Sequence, residues 1–221
     1  MVRSSSLALV FACVLSACSH VVGAKVTGSG VKGSATRALA PFTEIRATGA
    51  FRLEVRSGAA DSAVVVEGDD NLVPLFVTDV ANQTLSLNLP SGSFAPKVPL
   101  VVRVSAPSVT SLGANGAISA TIEGVSGPEF DARLSGACNL RAQGTADHAR
   151  YAGTGACDLE AFDLVAGACE LVLSGASSAR VHATRRLEAE SNGACTVRYR
   201  GKPEVASTVS GSSTIQPDDS H

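Results

Sequence analysis

The sequence predicts an all-β chain whose body is a parallel β-helix, a solenoid of about 18–20 residues per coil, with N-terminal β-strands extending or capping it. Three observations predict it. Apolar and polar residues alternate at a period of two, and no long stretch repeats at the helical period. Glycine recurs at Gly116, Gly136, Gly155, Gly175, Gly193 and Gly211, at spacings of 20, 19, 20, 18 and 18 residues. The text around each glycine is alike, as in Leu134-Ser-Gly-Ala-Cys-Asn-Leu140, Gly153-Thr-Gly-Ala-Cys-Asp-Leu159 and Ser191-Asn-Gly-Ala-Cys-Thr-Val197.

Composition sets the limits. A chain of 221 residues holds one domain, or one domain and a tail. Its net charge of −2 leaves no basic footprint, so no nucleic acid partner is expected. Apolar residues make up 45% and charged residues 17%, enough to bury a core. Aromatics are only 4% and Trp is absent, so that core is built from small aliphatic side chains.

At the N-terminus, Arg3 supplies a positive region, Leu7 to Leu15 an apolar stretch, and Leu15-Ser16-Ala17-Cys18 a run of small residues. This has the form of a secretory signal, too short for a membrane span. Its last four residues resemble the bacterial lipobox. The resemblance implies a lipoprotein signal peptide over 1–17, cleavage after Ala17, and lipidation of Cys18 by several acyl chains such as palmitate, which together anchor the chain firmly. Ser19 in place of Asp after the cysteine implies the outer membrane, facing either the periplasm or the cell surface. Residues 18–40, with Gly28-Ser29-Gly30 and Gly33-Ser34, read as a flexible tether.

The next segment reads as separate strands. Phe51, Leu53 and Val55 alternate with Arg52, Glu54 and Arg56. Leu85, Leu87 and Leu89 follow the same rule, as do Leu100, Val102 and Val104, and Val64 to Val66 form a β-branched run. Asn71 to Ala81 stays open between helix and strand, because Pro74 weakens a helix there.

From about Val109 the repeat takes over. Six residues before successive glycines stand Phe130, Ala149, Cys169, Leu187 and Val205; four after stand Leu140, Leu159, Ala179, Val197 and Ile215. These apolar columns face inward. Their neighbours Asp131, Arg150, Glu170 and Glu188, and Arg141, Glu160, Arg180 and Arg198, face water, with the parity a pleated strand requires. Each glycine is then the bend of one coil, a residue at φ > 0. The residues just before it, Asn115, Ser135, Thr154, Ser174, Asn192 and Ser210, are expected to form a polar ladder that satisfies the turn backbone.

The repeat, with its Phe-Thr-Glu-Ile-Arg opening at 42–46 and its Gly68-Asp-Asp-Asn71, resembles the head GIN domain, a family of auto-transporter adhesins, over roughly residues 40 to 216. The resemblance implies adhesion and carries no catalytic residue with it. Where the family often reads Ser-Gly-Ser-Gly-Asp, this chain has Ala-Cys after the glycine, which alters packing at the bend. The domain organisation expected is the signal over 1–17, the tether over 18–40, the solenoid over 41–216 and a tail over 217–221.

Four cysteines remain in the body. Cys138, Cys157 and Cys195 share one column with Ser177 and Ser213, so they read either as compact fillers inside the bend or, for Cys138 and Cys157 on adjacent coils about 5 Å apart, as a disulfide. In-register Cβ vectors are parallel, which strains such a bridge. No Cys-x-x-Cys or His cluster calls for a metal, and no cofactor is expected. His148 and His182 read as solvent-facing. Asp69-Asp70-Asn71 reads as a strand-ending turn rather than a calcium loop, and Asp131 and Asp158 read as face charges on different columns.

The functional expectation is a non-catalytic, envelope-anchored lipoprotein that presents the solenoid surface for adhesion or scaffolding, with polysaccharide or another surface polymer as ligand. Two alternatives stand beside it: a polysaccharide-active β-helix enzyme, which needs clustered carboxylates in a groove, and a lipid or small-molecule carrier, which needs an internal cavity. Self-association is expected at the end of the stack after Ile215, where a strand edge is left open.

Overall fold

The computed structural model of the chain describes residues 25–90 and 92–218. The segment expected to be a signal peptide, Cys18, the start of the expected tether and residues 219–221 lie outside the described residues. The N-terminal part contains β1 (Val26–Thr27), β2 (Lys32–Ala38), β3 (Glu44–Gly49), β4 (Arg52–Ser57), β5 (Ala63–Asp69), β6 (Val77–Ala81), β7 (Thr84–Asn88), β8 (Phe94–Ala95) and β9 (Val101–Ala106). The repeat region contains β10 (Ser111–Gly116), β11 (Ser119–Gly136), β12 (Asn139–Gly155), β13 (Asp158–Gly175), β14 (Ser178–Gly193), β15 (Thr196–Arg200), β16 (Glu204–Gly211) and β17 (Thr214–Pro217).

The repeat winds as a solenoid of stacked parallel coils. Leu140 lies beside Leu159, Leu159 beside Ala179, and Ala179 beside Val197, all in parallel register. Each strand from β11 to β14 is one coil, interrupted only at its glycine corner and bent at a second corner where the ladder slips, as between Ile122 and Val125. A bulge there turns the wall without ending it. Alternation then fills the interior: Leu140, Ala142, Ala149, Tyr151, Leu159, Cys169 and Leu171 are all buried. The core is as fine-grained as the composition requires, and Phe130 meets Tyr151 edge-on with ring centroids 6.3 Å apart.

The N-terminal strands both extend and cap the stack, but not in chain order. β3 and β4 lie directly against β10 and β11, so they form a coil of their own with Gly49 in the glycine column. The chain then doubles back, and β7 and β9 stack as a further coil on the far side of β3 and β4. Antiparallel strands close that end: β6 on β7, and β5 on β9 with β2 outside it.

The expected tether is corrected here. Within 18–40, residues Lys32–Ala38 form β2, paired antiparallel from Lys32 opposite Asp69 to Ala38 opposite Ala63. Alternation in Lys-Gly-Ser-Ala-Thr-Arg-Ala is too weak to read as a strand, since its half-buried residues are Gly33, Ala35 and Arg37 rather than large aliphatics. Arg37 is fixed by carbonyls, donating from Nη1 to Phe76 O at 2.6 Å and from Nη2 to Val73 O at 3.2 Å. The ambiguous segment resolves into a 3-10 turn, Val73–Leu75, carrying Pro74, followed by β6.

Candidate functional site

Every coil makes its bend in the same way. Gly155, at φ 106°, sits so close to the coil before it that a Cβ would stand 2.5 Å from the Gly136 carbonyl oxygen. The peptide after the bend uses that proximity: the Ala156 N–H donates to Gly136 O at 2.8 Å. Gly116, Gly136, Gly175, Gly193 and Gly211 repeat this arrangement, and Gly49 begins it. The turn glycines therefore stand where the sequence places them, with one more in the N-terminal coil. Ala47-Thr-Gly-Ala-Phe-Arg-Leu53 carries the same local text, but the spacing of 67 residues from Gly49 to Gly116 hides it from a period near 19.

The inside of the bend is lined by the cysteine and serine column. Ser177 Oγ donates to Gly155 O at 3.2 Å and Ser213 Oγ to Gly193 O at 3.1 Å. Cys138 Sγ donates to Gly116 O at 3.6 Å, and Cys157 Sγ to Thr154 O at 3.5 Å. Cys138 and Cys157 are adjacent in the stack but are free thiols, each turned onto carbonyls rather than onto the other. This also corrects the role given to the polar ladder. The turn carbonyls are satisfied by the inward Cys and Ser, while Asn115, Ser135 and Thr154 point to solvent.

That outward row continues along the stack as small polar side chains. Asn88, Thr48, Asn115, Ser135, Thr154, Ser174, Asn192 and Ser210 are successive cross-strand neighbours. At the parallel strand spacing they extend over about 34 Å. Among the described residues one hydrogen bond runs along the row, from Ser174 Oγ to Thr154 Oγ1 at 3.3 Å. Thr48, Asn115 and Ser135 keep their side-chain donors and acceptors for solvent or a ligand.

Beside the row the wall sinks into a trough of about 410 Å³. The adjacent outward column runs Arg46, Gly113, Arg133, Ala152. Gly113 and Ala152 have almost no side chain, so the two arginines stand as posts over a lowered floor. Arg133 is tied to Asp131 at 2.7 Å, and Arg46 lies 3.9 Å from Glu44. Planar guanidinium and carboxylate groups beside hydroxyls and amides can hydrogen-bond a hydroxylated polymer laid along the row.

A second trough, of about 550 Å³, opens on the other wall over Glu54, Arg56, Val65, Arg103, Thr121 and Glu123. Its central cation is already engaged: Arg103 binds Glu54 at 2.9 Å and Glu67 at 2.5 Å. Lys32 and Arg103 hold the Glu67 carboxyl below its ordinary range.

The remaining predicted residues fall as follows. Arg141, Glu160 and Arg180 share one column, and Arg180 pairs with Glu160 at 3.0 Å. Asp131 and Asp158 face outward on different walls, the latter accepting from Ser178 Oγ. His148 is exposed and His182 half-buried, on different columns. No three His, Cys, Asp or Glu side chains converge among the described residues, and no helix there is long and apolar enough to cross a membrane. Sequence reasoning missed Asp69. Its carboxylate is buried and accepts from the backbone N–H groups of Gly30 at 2.7 Å, Lys97 at 2.9 Å and Val98 at 3.1 Å, clamping two loops at the covered end. Burial pushes its pKa up, but the Gly30, Val98 and Lys97 amides outweigh it and leave the group below its ordinary value.

Solved structures share this fold. A protein from Bacteroides fragilis described as a putative adhesin aligns with a TM-score of 0.69 at 20% identity, covering 87% of this chain and 100% of its own. A putative adhesin from Parabacteroides merdae aligns at 0.55 and 17% identity, over 88% and 99%. A protein from Parabacteroides distasonis described as a putative lipid binding protein aligns at 0.54 and 20% identity, over 89% and 100%. No curated protein matches the chain. A family model matches residues 41–203, from the start of the first coil to the beginning of the last, and the chain belongs to that family, described as "Putative auto-transporter adhesin, head GIN domain".

Proposed function

We propose that the chain is a non-catalytic, lipid-anchored protein of the bacterial outer membrane that uses its solenoid wall for adhesion or scaffolding, with a polysaccharide as ligand. The observation that carries this reading is the solvent-facing row from Asn88 to Ser210 with the Arg46–Arg133 trough beside it. Hydroxyl and amide groups repeated at one strand spacing match a polymer whose own hydroxyls repeat, and several weak contacts along one row add up. The adhesin family and the lipobox text at 15–18 support a place in the envelope.

Two physical points speak for binding over catalysis or transport. A general acid needs a carboxyl raised toward neutrality; the Glu67 carboxyl beside the second trough and the Asp69 carboxyl at the covered end are instead lowered by their partners. A lipid carrier needs an internal cavity, whereas the void among Leu134, Tyr151, Leu159 and Leu173 measures about 10 Å³.

Retention of the full chain on a panel of immobilised polysaccharides tests the ligand. Binding to at least one glycan, weakened several-fold by Ser135→Lys and Arg133→Ala, is expected. Retention on none, or release of reducing or unsaturated ends, overturns it. Cys18→Ser, globomycin treatment and protease shaving test the anchor, which fails if the chain leaves the membrane fraction in none of them.

A further inference from the structure

The last coil ends the stack uncovered. β16 pairs with β14 along one edge, and no described residue pairs with its other edge. All eight of its residues are exposed. Val205 and Val209 are 39% and 45% exposed although they continue columns, Cys169 to Leu187 and Leu173 to Ser191, that are buried one and two coils earlier. The opposite end is closed by β6, β5 and β2.

Backbone parity fixes which groups the open edge offers. The Asp131 N–H donates back to Thr110 O at 2.9 Å, and the Ser212 N–H donates back to Gly193 O at 2.8 Å. Residues in the outward columns therefore spend their N–H and C=O on the preceding coil, and inward residues point theirs forward. In β16 the forward set is Val205, Ser207, Val209 and, at its bend, Gly211.

We propose that a second copy of this chain covers this edge, with β16 antiparallel to β16 of the copy around a twofold axis at Ser207. The strand is self-complementary in that register. Ser207 faces Ser207 and Val205 faces Val209, so these three forward-pointing residues meet one another and each pair exchanges two N–H···O=C bonds, while Gly211 falls beyond the paired stretch, opposite Pro203. The valines lie on the inner face, so the two cores join into one. The only charge in the strand, Glu204, falls opposite Ser210, so no like charges meet. Earlier coils carry Asp131, Arg150, Glu170 and Glu188 at the position that Ala206 holds here. The strand also lacks the Lys, Pro or bulge that protects solitary edges. A twofold contact of this kind uses one patch on both chains and closes at two copies.

The joined stack would carry its two β1 segments at opposite ends. With the anchor at Cys18, a consequence that rests on the function proposed above, this is the geometry of a contact between two facing surfaces. The pairing itself does not depend on the anchor.

Sedimentation of the purified full chain over a range of concentrations, with oxidative cross-linking, tests it. A species of twice the chain mass is expected, weakened at least tenfold by Val209→Lys, with circular dichroism unchanged because β16 is already exposed. Ser207→Cys should form a disulfide-linked dimer and Glu204→Cys should not, since twofold pairing separates the latter by about 20 Å. A monomer at every concentration overturns the proposal. So does a dimer that survives Val209→Lys, or equal cross-linking at both positions.

Discussion

The carbonyl oxygen of Gly136 lies 2.5 Å from where a Cβ on Gly155 would stand, and one hydrogen bond, from Ala156 N–H at 2.8 Å, spans the same gap. The closeness that excludes a side chain is what lets each coil hydrogen-bond to the next at its sharpest point. Gly155→Ala would place a methyl group against that carbonyl and hold alanine at φ 106°. The expected loss is about 1–3 kcal/mol from backbone strain, with more from the clash, read as a lower denaturation midpoint. An unchanged midpoint would mean that the corner is looser than its geometry.

The column inside the bend selects for a small donor. Cys157→Ser should be tolerated within about 1 kcal/mol, because Ser177 and Ser213 already make this contact with the preceding glycine carbonyl. Cys157→Leu adds volume where the coil is narrowest and should cost about 1–3 kcal/mol. Equal effects of the two substitutions in thermal unfolding would refute a donor role.

Thiol reactivity should follow burial. Burial pushes the Cys169 thiol far above its ordinary range and raises that of Cys157, and only the thiolate reacts. Cys138, Cys157, Cys169 and Cys195 should resist a thiol reagent at pH 8 in the folded chain and all titrate after denaturation without reductant. Two missing thiols in the denatured sample would reveal a bridge.

Asp69 should act as a clamp that acid releases. Its pKa is lowered on folding, so its contribution is complete above the ordinary value of 3.8 and is lost as pH falls through the lower folded value. Lys97, the nearby cation, favours the same charged form. Amide exchange at Gly30, Lys97 and Val98 should be insensitive to clamp loss between pH 5 and 7, where the carboxylate stays charged, and should rise below 3.8. Asp69→Ala should open these amides at neutral pH while those of β12 and β13 stay protected. Uniform exchange across all of them would show global unfolding instead.

The surface ion pairs should matter little. Arg180 and Glu160 are 42% and 27% exposed, so Glu160→Gln should cost at most about 0.5 kcal/mol, and less in high salt. A larger, salt-independent loss would mean that Glu160 supports the wall in another way.

Much of the solenoid is legible because its rules are local and repeated. Gly136 and Gly155 are 19 residues apart, so one coil's length appears directly as a period, and two-residue parity assigns Leu140 and Leu159 to the inside before any coordinate is known. What is harder to read comes from one-off contacts. β2 carries Gly33, Ala35 and Arg37 on its half-buried face, so nothing in its hydropathy marks it as a strand; its place is decided by pairing with β5 and by the carbonyls that hold Arg37.

The candidate binding face divides in the same way. The row through Asn115, Ser135 and Thr154 follows from sequence, since every member precedes a glycine, yet its extension to Thr48 and Asn88 depends on a chain that doubles back to stack β7 and β9 behind β3 and β4. The troughs depend on which side chains become neighbours between coils, and the Asp69 clamp on amides 39 and 28 residues away. By itself the sequence determined the period, the facing of each column and the glycine bends, because these depend on residues within one coil and its repeat. Only tertiary structure decided the order of the first coils and which strands close the covered end, because these are set by long-range strand pairing, which leaves no periodic mark.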